Sequence, residues 1–406
     1  GVYANAVVTT GNGSGTLFTG NDLNTAGANS IRLVGLYAQG VDGVTISNNN
    51  IANMSNSLAE SPRAIWLATG TNSGTVSQNN ISTLASTNTG AFAVAGIYVT
   101  PGSGATAITV NGNTISGLTN AGTGTTFGGI ITTSPNTNVT NNTISNLTQN
   151  GASSSIGAYG IVQSGSSNAT ISGNTISGIL STTSATASGI NIQGASTGVN
   201  IFRNSISNIK NTNTTGWGAQ GIYLGSTSTT ANTNVYNNLV YDVAADGFNG
   251  ITATDNGYGI MVQSGGGYNI RFNSVNMNTD QPDIVGRPAA INISSSITTA
   301  ASLDIRDNIF ANTQTTGNRY AIVSGAANTV FSNINYNDYY STGLVGYNGT
   351  TEYTNLAAWQ AASAQDANSV AVNPQFTTPT NLNLLAASPL FGSGVTIAGI
   401  TTDFVN

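Results

Sequence analysis

The 406-residue chain contains no cysteine and no histidine. The first absence excludes a disulfide framework, thiol nucleophiles and thiolate metal sites. The second removes the commonest general base and the commonest zinc ligand. Charge is almost as scarce. Asp, Glu, Lys and Arg make up 5% of residues, against about 25% in an ordinary soluble domain. One lysine, Lys210, and seven arginines face twelve aspartates and two glutamates, for a net charge of -6. That balance offers no basic footprint for nucleic acid or for an anionic membrane. No apolar run approaches the roughly 18 residues of a membrane-spanning helix. The chain opens at Gly1 without an initiator methionine or signal peptide. The expectation is a removed leader or a segment of something longer.

What is present is repetitive. Hydrophobic residues make up 39% and recur throughout, so a sizeable core can form and the chain does not read as disordered. Its polar surface is built from Asn, Ser, Thr and Gly. The phrase "VTISNNNIANM" (Val44 to Met54) returns as "GTVSQNNISTL", "ITVNGNTISGL" and "ATISGNTISGI". Aligned on an asparagine, the repeats place Asn21, Asn49, Asn79, Asn113, Asn142, Asn174, Asn204, Asn238, Asn273, Asn308 and Asn337 at gaps of 28 to 35 residues. An aliphatic or aromatic residue stands two positions after each, from Leu23 and Ile51 to Phe310 and Tyr339.

A second phrase precedes each asparagine, often a small residue followed by Ile, as in "AGIYVT" and "QGIYLG". Its aliphatic positions read as Val2, Ile31, Ile65, Ile97, Ile130, Ile161, Ile190, Ile222, Ile260, Ile291 and Ile322. Apolar residues alternate at period two within a phrase, which is strand periodicity. Gly and Asn at the boundaries supply turns. A unit of about thirty residues is too small to bury its own apolar face, so units must stack. The economical solution is a parallel β-helix, here of about eleven coils, with equivalent residues about 4.8 Å apart and a rod about 50 Å long. An inward asparagine at each turn can donate to and accept from its neighbours, forming a ladder.

The repeats resemble those of the right-handed parallel β-helix superfamily, the pectate-lyase-like proteins. Phrases such as "ISGNTISGI" carry the resemblance, which covers essentially the whole chain. It implies a right-handed all-β solenoid with an Asn ladder between the second and third sheets. It implies little about function, because that rod serves lyases, hydrolases, tailspikes and inert shafts.

The expected β-helix covers residues 1–340, and residues 341–406 read as a C-terminal extension. Within the latter, Leu356 to Ala362 is a helix candidate with Thr354 or Asn355 as its cap. The tail resembles the last segment of secreted Bacteroidota-type β-helix proteins at Trp359, Asp366, Ser369, Pro374, Phe376, Leu384, Ser388, Pro389, Gly394 and Asp403. That resemblance implies a longer parent. At the other end the first phrase begins at once, with no polar cap. Either a cap is missing or the open end stacks on another copy.

Chemistry has few candidates. Arg271, Arg306, Asp304 and Asp307 are the most enzyme-like group, because the family's lyases need a basic Arg or Lys and a carboxylate cluster. The bland alternative is a surface ion pair. Asp242, Asp246, Asn249, Asp255 and Asn256 lie on a glycine-rich loop but meet no calcium-loop spacing. Scattered aspartates and absent histidine speak against a glycosidase. Trp66, Tyr98 and Tyr223 each follow a phrase Ile, so alternation points them outward, and Trp217 sits just before a strand. They form a candidate surface for stacking glycan rings, with packing under a loop as the alternative. The reading is therefore a non-catalytic, secreted or cell-surface shaft, fibre subunit or adhesin module. It needs no catalytic residue, metal or cofactor. A glycan-binding module is the alternative, and a polysaccharide lyase comes after it. The partners expected are surface glycans or further copies of the chain.

Overall fold

A computed structural model describes residues 1–6, 12–102, 107–124, 126–133, 136–151, 156–246 and 256–404. The chain is a right-handed parallel β-solenoid of about ten turns, divided into two compact units, Gly1–Val199 and Asn200–Asn406.

In the first unit every turn lays one strand on each of three sheets. The first sheet contains Val2–Asn5, Val34–Gln39, Arg63–Leu67, Ala95–Val99, Phe127–Thr132, Ala158–Ser164 and Ala187–Gly194. The second sheet runs from Leu17–Thr19 to Thr170–Ser172, and the third from Asp22–Leu23 to Thr175–Ser181. Pairing is parallel and keeps the repeats in register. Ile51, Ile81, Ile115, Ile144 and Ile176 stack on one another. So do Leu36, Ile65, Ile97, Ile130, Ile161 and Ile190. All are fully buried. Leu36 therefore occupies the row assigned by sequence to Ile31, which lies outside any strand. Val2 is in the row but stays exposed.

The second unit repeats the plan. Its first sheet starts with Ala219–Ser226, its second with Asn200–Phe202 and its third with Ser205–Asn211. Ile222, Ile260, Ile291 and Ile322 form one inner row. The coil around Asn337 keeps its first two strands, Tyr320–Ser324 and Phe331–Asn335. It then continues as isolated bridges at Asp338 and Ser341 instead of a third strand. The expected helix forms over Leu356–Ser363, with the Asn355 side chain accepting from the Ala358 N–H at 3.0 Å. Beyond it, Phe376–Thr378 and Asn381–Leu384 pair antiparallel.

The Asn ladder sits at the turn between the second and third sheets. Asn142 shows its chemistry. Its Nδ2 donates to Asn174 Oδ1 on the next turn at 3.0 Å and to the Val110 carbonyl on the previous turn at 2.9 Å. Its backbone N–H donates to the same Asn174 Oδ1 at 2.9 Å. In turn, Asn142 Oδ1 accepts from Asn113 Nδ2 at 2.9 Å. The pattern links Asn21, Asn49, Asn79 and Asn113 in the first unit. In the second it links Asn204, Asn238, Asn273, Asn308 and Asn337. Apart from half-buried Asn21, these residues are almost wholly buried. Burial is tolerable because both amide hydrogens and the carbonyl oxygen find partners.

Two left-handed backbone positions shape the turn. The residue before each ladder Asn has positive φ, as at Asn48, Gln78, Gly112 and Asn141. In the turns from Asn49 to Asn174 the fourth residue after it does too, at Asn53, Thr83, Gly117, Asn146 and Gly178. This second kink resets the alternation, so Ile81 and Leu84, three apart, both point inward. Thr83 is a poor fit, because a β-branched side chain crowds the backbone at φ 57°. Its two adjacent neighbours in the column are Asn53 and Gly117. We expect Thr83→Asn to stabilise the protein by about 1 kcal/mol, raising the melting temperature by about 2–4 °C in calorimetry.

Candidate functional site

Three places bring chemically distinctive side chains together. The first is the outer face of the first sheet in the first unit. Parallel register places Tyr3, Tyr37, Trp66 and Tyr98 side by side on successive strands. Their ring centroids are 5.8, 5.1 and 6.0 Å apart. Tyr3 is 61% exposed and the others are half-buried. The Arg63 guanidinium lies over the Trp66 ring at 4.5 Å and the Tyr98 ring at 4.3 Å. Its Nη1 donates to the Ser61 carbonyl at 3.0 Å, and Trp66 Nε1 donates to Thr100 Oγ1 at 2.9 Å. Tyr37 donates its hydroxyl to Gln39 Oε1. Past Tyr98 the row becomes aliphatic and buried, at Ile131 and Val162.

The structure places Trp66 beside Tyr98, and Tyr3, Tyr37 and Arg63 join them. Tyr223 and Trp217 belong to the second unit. Tyr223 packs against the core cluster of Tyr258, Met261 and Tyr320, whereas Trp217 is 53% exposed in the irregular segment before Ala219–Ser226.

The second place is the outer face of the second sheet in the second unit. Arg271 Nε donates to Asp304 Oδ2 at 3.1 Å, and Arg306 Nε donates to Asp304 Oδ1 at 2.6 Å. Burial alone would raise the Asp304 carboxyl, but hydrogen bonds and charge from Arg306 and Arg271 outweigh it and hold it below its ordinary value. The hydrogen bond that Arg306 donates to Asp304 likewise raises the Arg306 guanidinium. Both effects favour the charged forms. A lyase base must be neutral to take a proton, so this arrangement is a closed ion cluster.

The third place is a cavity of about 220 Å³ in the second unit. Asp307 and Asp338 line it together with Val370, Leu384 and Leu390. Burial pushes the Asp338 carboxyl up to about 8, against the opposing pull of the Val372 N–H. Burial also raises Asp307, despite a hydrogen bond from the Val395 N–H.

The glycine-rich loop singled out by its oxygen side chains does not assemble a site among the described residues. Asp242 pairs with Lys210 and accepts from Thr279, and Asn249 and Asp255 lie outside the described residues. Among the described residues no three Asp, Glu, His or Cys side chains converge as a metal cluster. No helix is long and apolar enough to cross a membrane.

No family model matches the chain, and no curated protein does. One solved structure, a complex of XylC with xylose, is similar at a TM-score of 0.31 and 9% identity. The match covers 71% of this chain and 55% of that one, and a likeness so weak carries no argument about chemistry.

Proposed function

We propose that the protein is a non-catalytic, secreted β-solenoid whose first unit binds glycan along the aromatic row, as an adhesin-type module does. The row Tyr3, Tyr37, Trp66 and Tyr98 carries this reading. Aromatic rings offer a flat apolar face against which the C–H face of a pyranose packs, while their polar edges remain wet. Arg63 adds a donor beside two of the rings, positioned by cation–π contact. Rings on consecutive strands would contact consecutive sugars of an extended chain. The closed Arg271–Asp304–Arg306 cluster and the absence of histidine favour binding over catalysis. The resemblance of the tail, from Trp359 to Asp403, to secreted bacterial β-helix proteins supports an extracellular setting.

A panel of immobilised polysaccharides tests this reading. Binding is expected to fall at least about tenfold in Trp66→Ala, the loss of one stacked ring, with an unchanged circular dichroism spectrum. Binding that survives in a Tyr37→Ala, Trp66→Ala double variant overturns the assignment. In the same preparations, electron microscopy examines the shaft or fibre role. Long fibres would mean self-association of copies, whereas discrete particles would leave glycan as the partner.

A further inference from the structure

The outer face of the second sheet in the second unit extends beyond the ion cluster. Ile201, Val235 and Ile270 are buried, so strand alternation turns the residues on either side of them outward. Parallel register then lines up two columns. One is Asn200, Asn234, Asn269 and Asp304; the other is Phe202, Tyr236, Arg271 and Arg306. The amides form an outward ladder. Asn234 Nδ2 donates to Asn200 Oδ1 at 2.9 Å and Asn269 Nδ2 to Asn234 Oδ1 at 3.0 Å. Arg271 Nη2 donates to Asn269 Oδ1 at 3.1 Å. Beside them, Phe202 and Tyr236 stack with ring centroids 4.9 Å apart and an interplanar angle of 8°.

The C-terminal segment roofs this face and is fastened at both ends. At one end the Val395 N–H donates to Asp307 Oδ1 at 2.7 Å. At the other, Arg203 Nε donates to the Asp403 carbonyl at 2.9 Å, and Asn237 Nδ2 donates to the Thr402 carbonyl. Between the fastenings, Ala398, Gly399 and Ile400 stand over a cavity of about 200 Å³. Its floor is Asn200, Asn234, Asn269, Tyr236 and Arg271, all half-buried and therefore open to a ligand.

An amide has two hydrogens and two acceptor lone pairs. Asn234 and Asn269 each use one of both in the ladder, so each keeps a donor and an acceptor. The Tyr236 hydroxyl and Arg271 Nη1 have no hydrogen-bond partner among the described residues. Groups that donate and accept side by side, next to an aromatic ring, match a pyranose. Its hydroxyls both donate and accept, and its C–H groups pack on a ring face. The guanidiniums of Arg271 and Arg306 already face the carboxylates of Asp304 and Asp307, so no excess charge selects an acidic sugar. The volume equals about seven waters at about 30 Å³ each, the bulk of one sugar ring with its hydroxyls.

We propose that this cavity binds a single neutral sugar unit, held by the amides of Asn234 and Asn269 and by Tyr236 beneath the C-terminal segment. The roof confines the ligand to a free monosaccharide or the end of a chain. The site is separate from the aromatic row of the first unit and does not depend on the reading given for that row. Long polysaccharides present few ends, so immobilised polymers report on the row and free monosaccharides on this cavity.

The test uses the whole chain. Glucose, galactose, mannose and N-acetylglucosamine are titrated in turn by calorimetry and by saturation-transfer NMR, with glucuronic and galacturonic acid beside them. At least one neutral sugar should bind one-to-one with a dissociation constant of about 1–10 mM, the range for a ligand of this size. Asn234→Ala and Tyr236→Ala change only the outer face, so both are expected to fold, as circular dichroism will check. Each should weaken binding at least about tenfold, and Trp66→Ala should leave it unchanged. Absence of saturable binding by every neutral sugar would overturn the proposal. So would undiminished binding in either folded variant, or its loss in Trp66→Ala, which would place the sugar on the row. A uronic acid that binds more tightly than its neutral parent would overturn the neutral class.

Discussion

Replacing Asn142 by alanine is expected to destabilise the protein by about 3–5 kcal/mol, although the side chain is small and uncharged. Its removal orphans several groups at once. The N–H and Nδ2 of Asn113 lose their shared acceptor. The carbonyls of Val110 and Thr140 and the Oδ1 of Asn174 lose a donor. Each buried unsatisfied group costs about 1–3 kcal/mol, with the carbonyls at the lower end because a second lone pair remains in use. The melting temperature should fall by roughly 10 °C. Asn142→Asp should be worse still. Its second oxygen would face three acceptors where an NH2 group now donates, and it would carry charge into the core. Asn138, half-buried on the outer face of the second sheet in the same turn, is the control. Its alanine variant should change stability by less than about 0.5 kcal/mol. Equal losses at Asn138 and Asn142 would mean that the ladder adds nothing beyond ordinary surface contacts.

The contrast between Asn142 and Asn138 explains what was legible in the sequence. Asparagine is common throughout this chain, so its presence alone says little. Its recurrence at one phase of a thirty-residue period, followed two positions later by an aliphatic, could only mean stacked turns. The inner rows follow directly from that phase. Other features depend on three-dimensional closeness and escaped it. Tyr37 belongs between Tyr3 and Trp66, but the irregular segment before it draws the alignment to Ile31. With Leu36 in the row, Tyr37 falls into place and the aromatic column becomes continuous. The left-handed position before each ladder Asn is hard to read because its residue varies, from Gly112 and Asn141 to Arg203 and Phe272. A second buried polar column, Asn56, Ser86, Asn120, Gln149 and Ser181, is equally varied in residue type. Trp66 and Tyr98 could be placed outward by alternation alone. The cavity beside Asp307 and Asp338 could not be foreseen, because Val395 reaches Asp307 across 88 residues.

That cavity gives the protein an expected acid preference. Asp338 has an ordinary value of 3.8 and is pushed up to about 8 by burial. Between those limits the unfolded chain has lost the proton and the folded chain keeps it. Stability must then fall as pH rises, by up to about 1.4 kcal/mol per pH unit. The contribution is fully present below about pH 4 and is gone above about pH 8, a total of roughly 5 kcal/mol. Asp307 and Asp366 are also raised by burial and add with the same sign. Asp304 is held below its ordinary value, so its contribution is lost only in stronger acid. Melting temperatures measured from pH 4 to pH 8 should therefore decline steadily. Asp338→Asn keeps the acceptor for Val372 and removes the titrating group. The variant should match the parent at pH 4, exceed it by about 10 °C at pH 8, and show a shallower slope set by Asp307 and Asp366. A parent curve that is flat across this range would show that water or a neighbouring group already satisfies the Asp338 carboxylate. A variant with the parent's slope would assign the pH dependence to the other two acids.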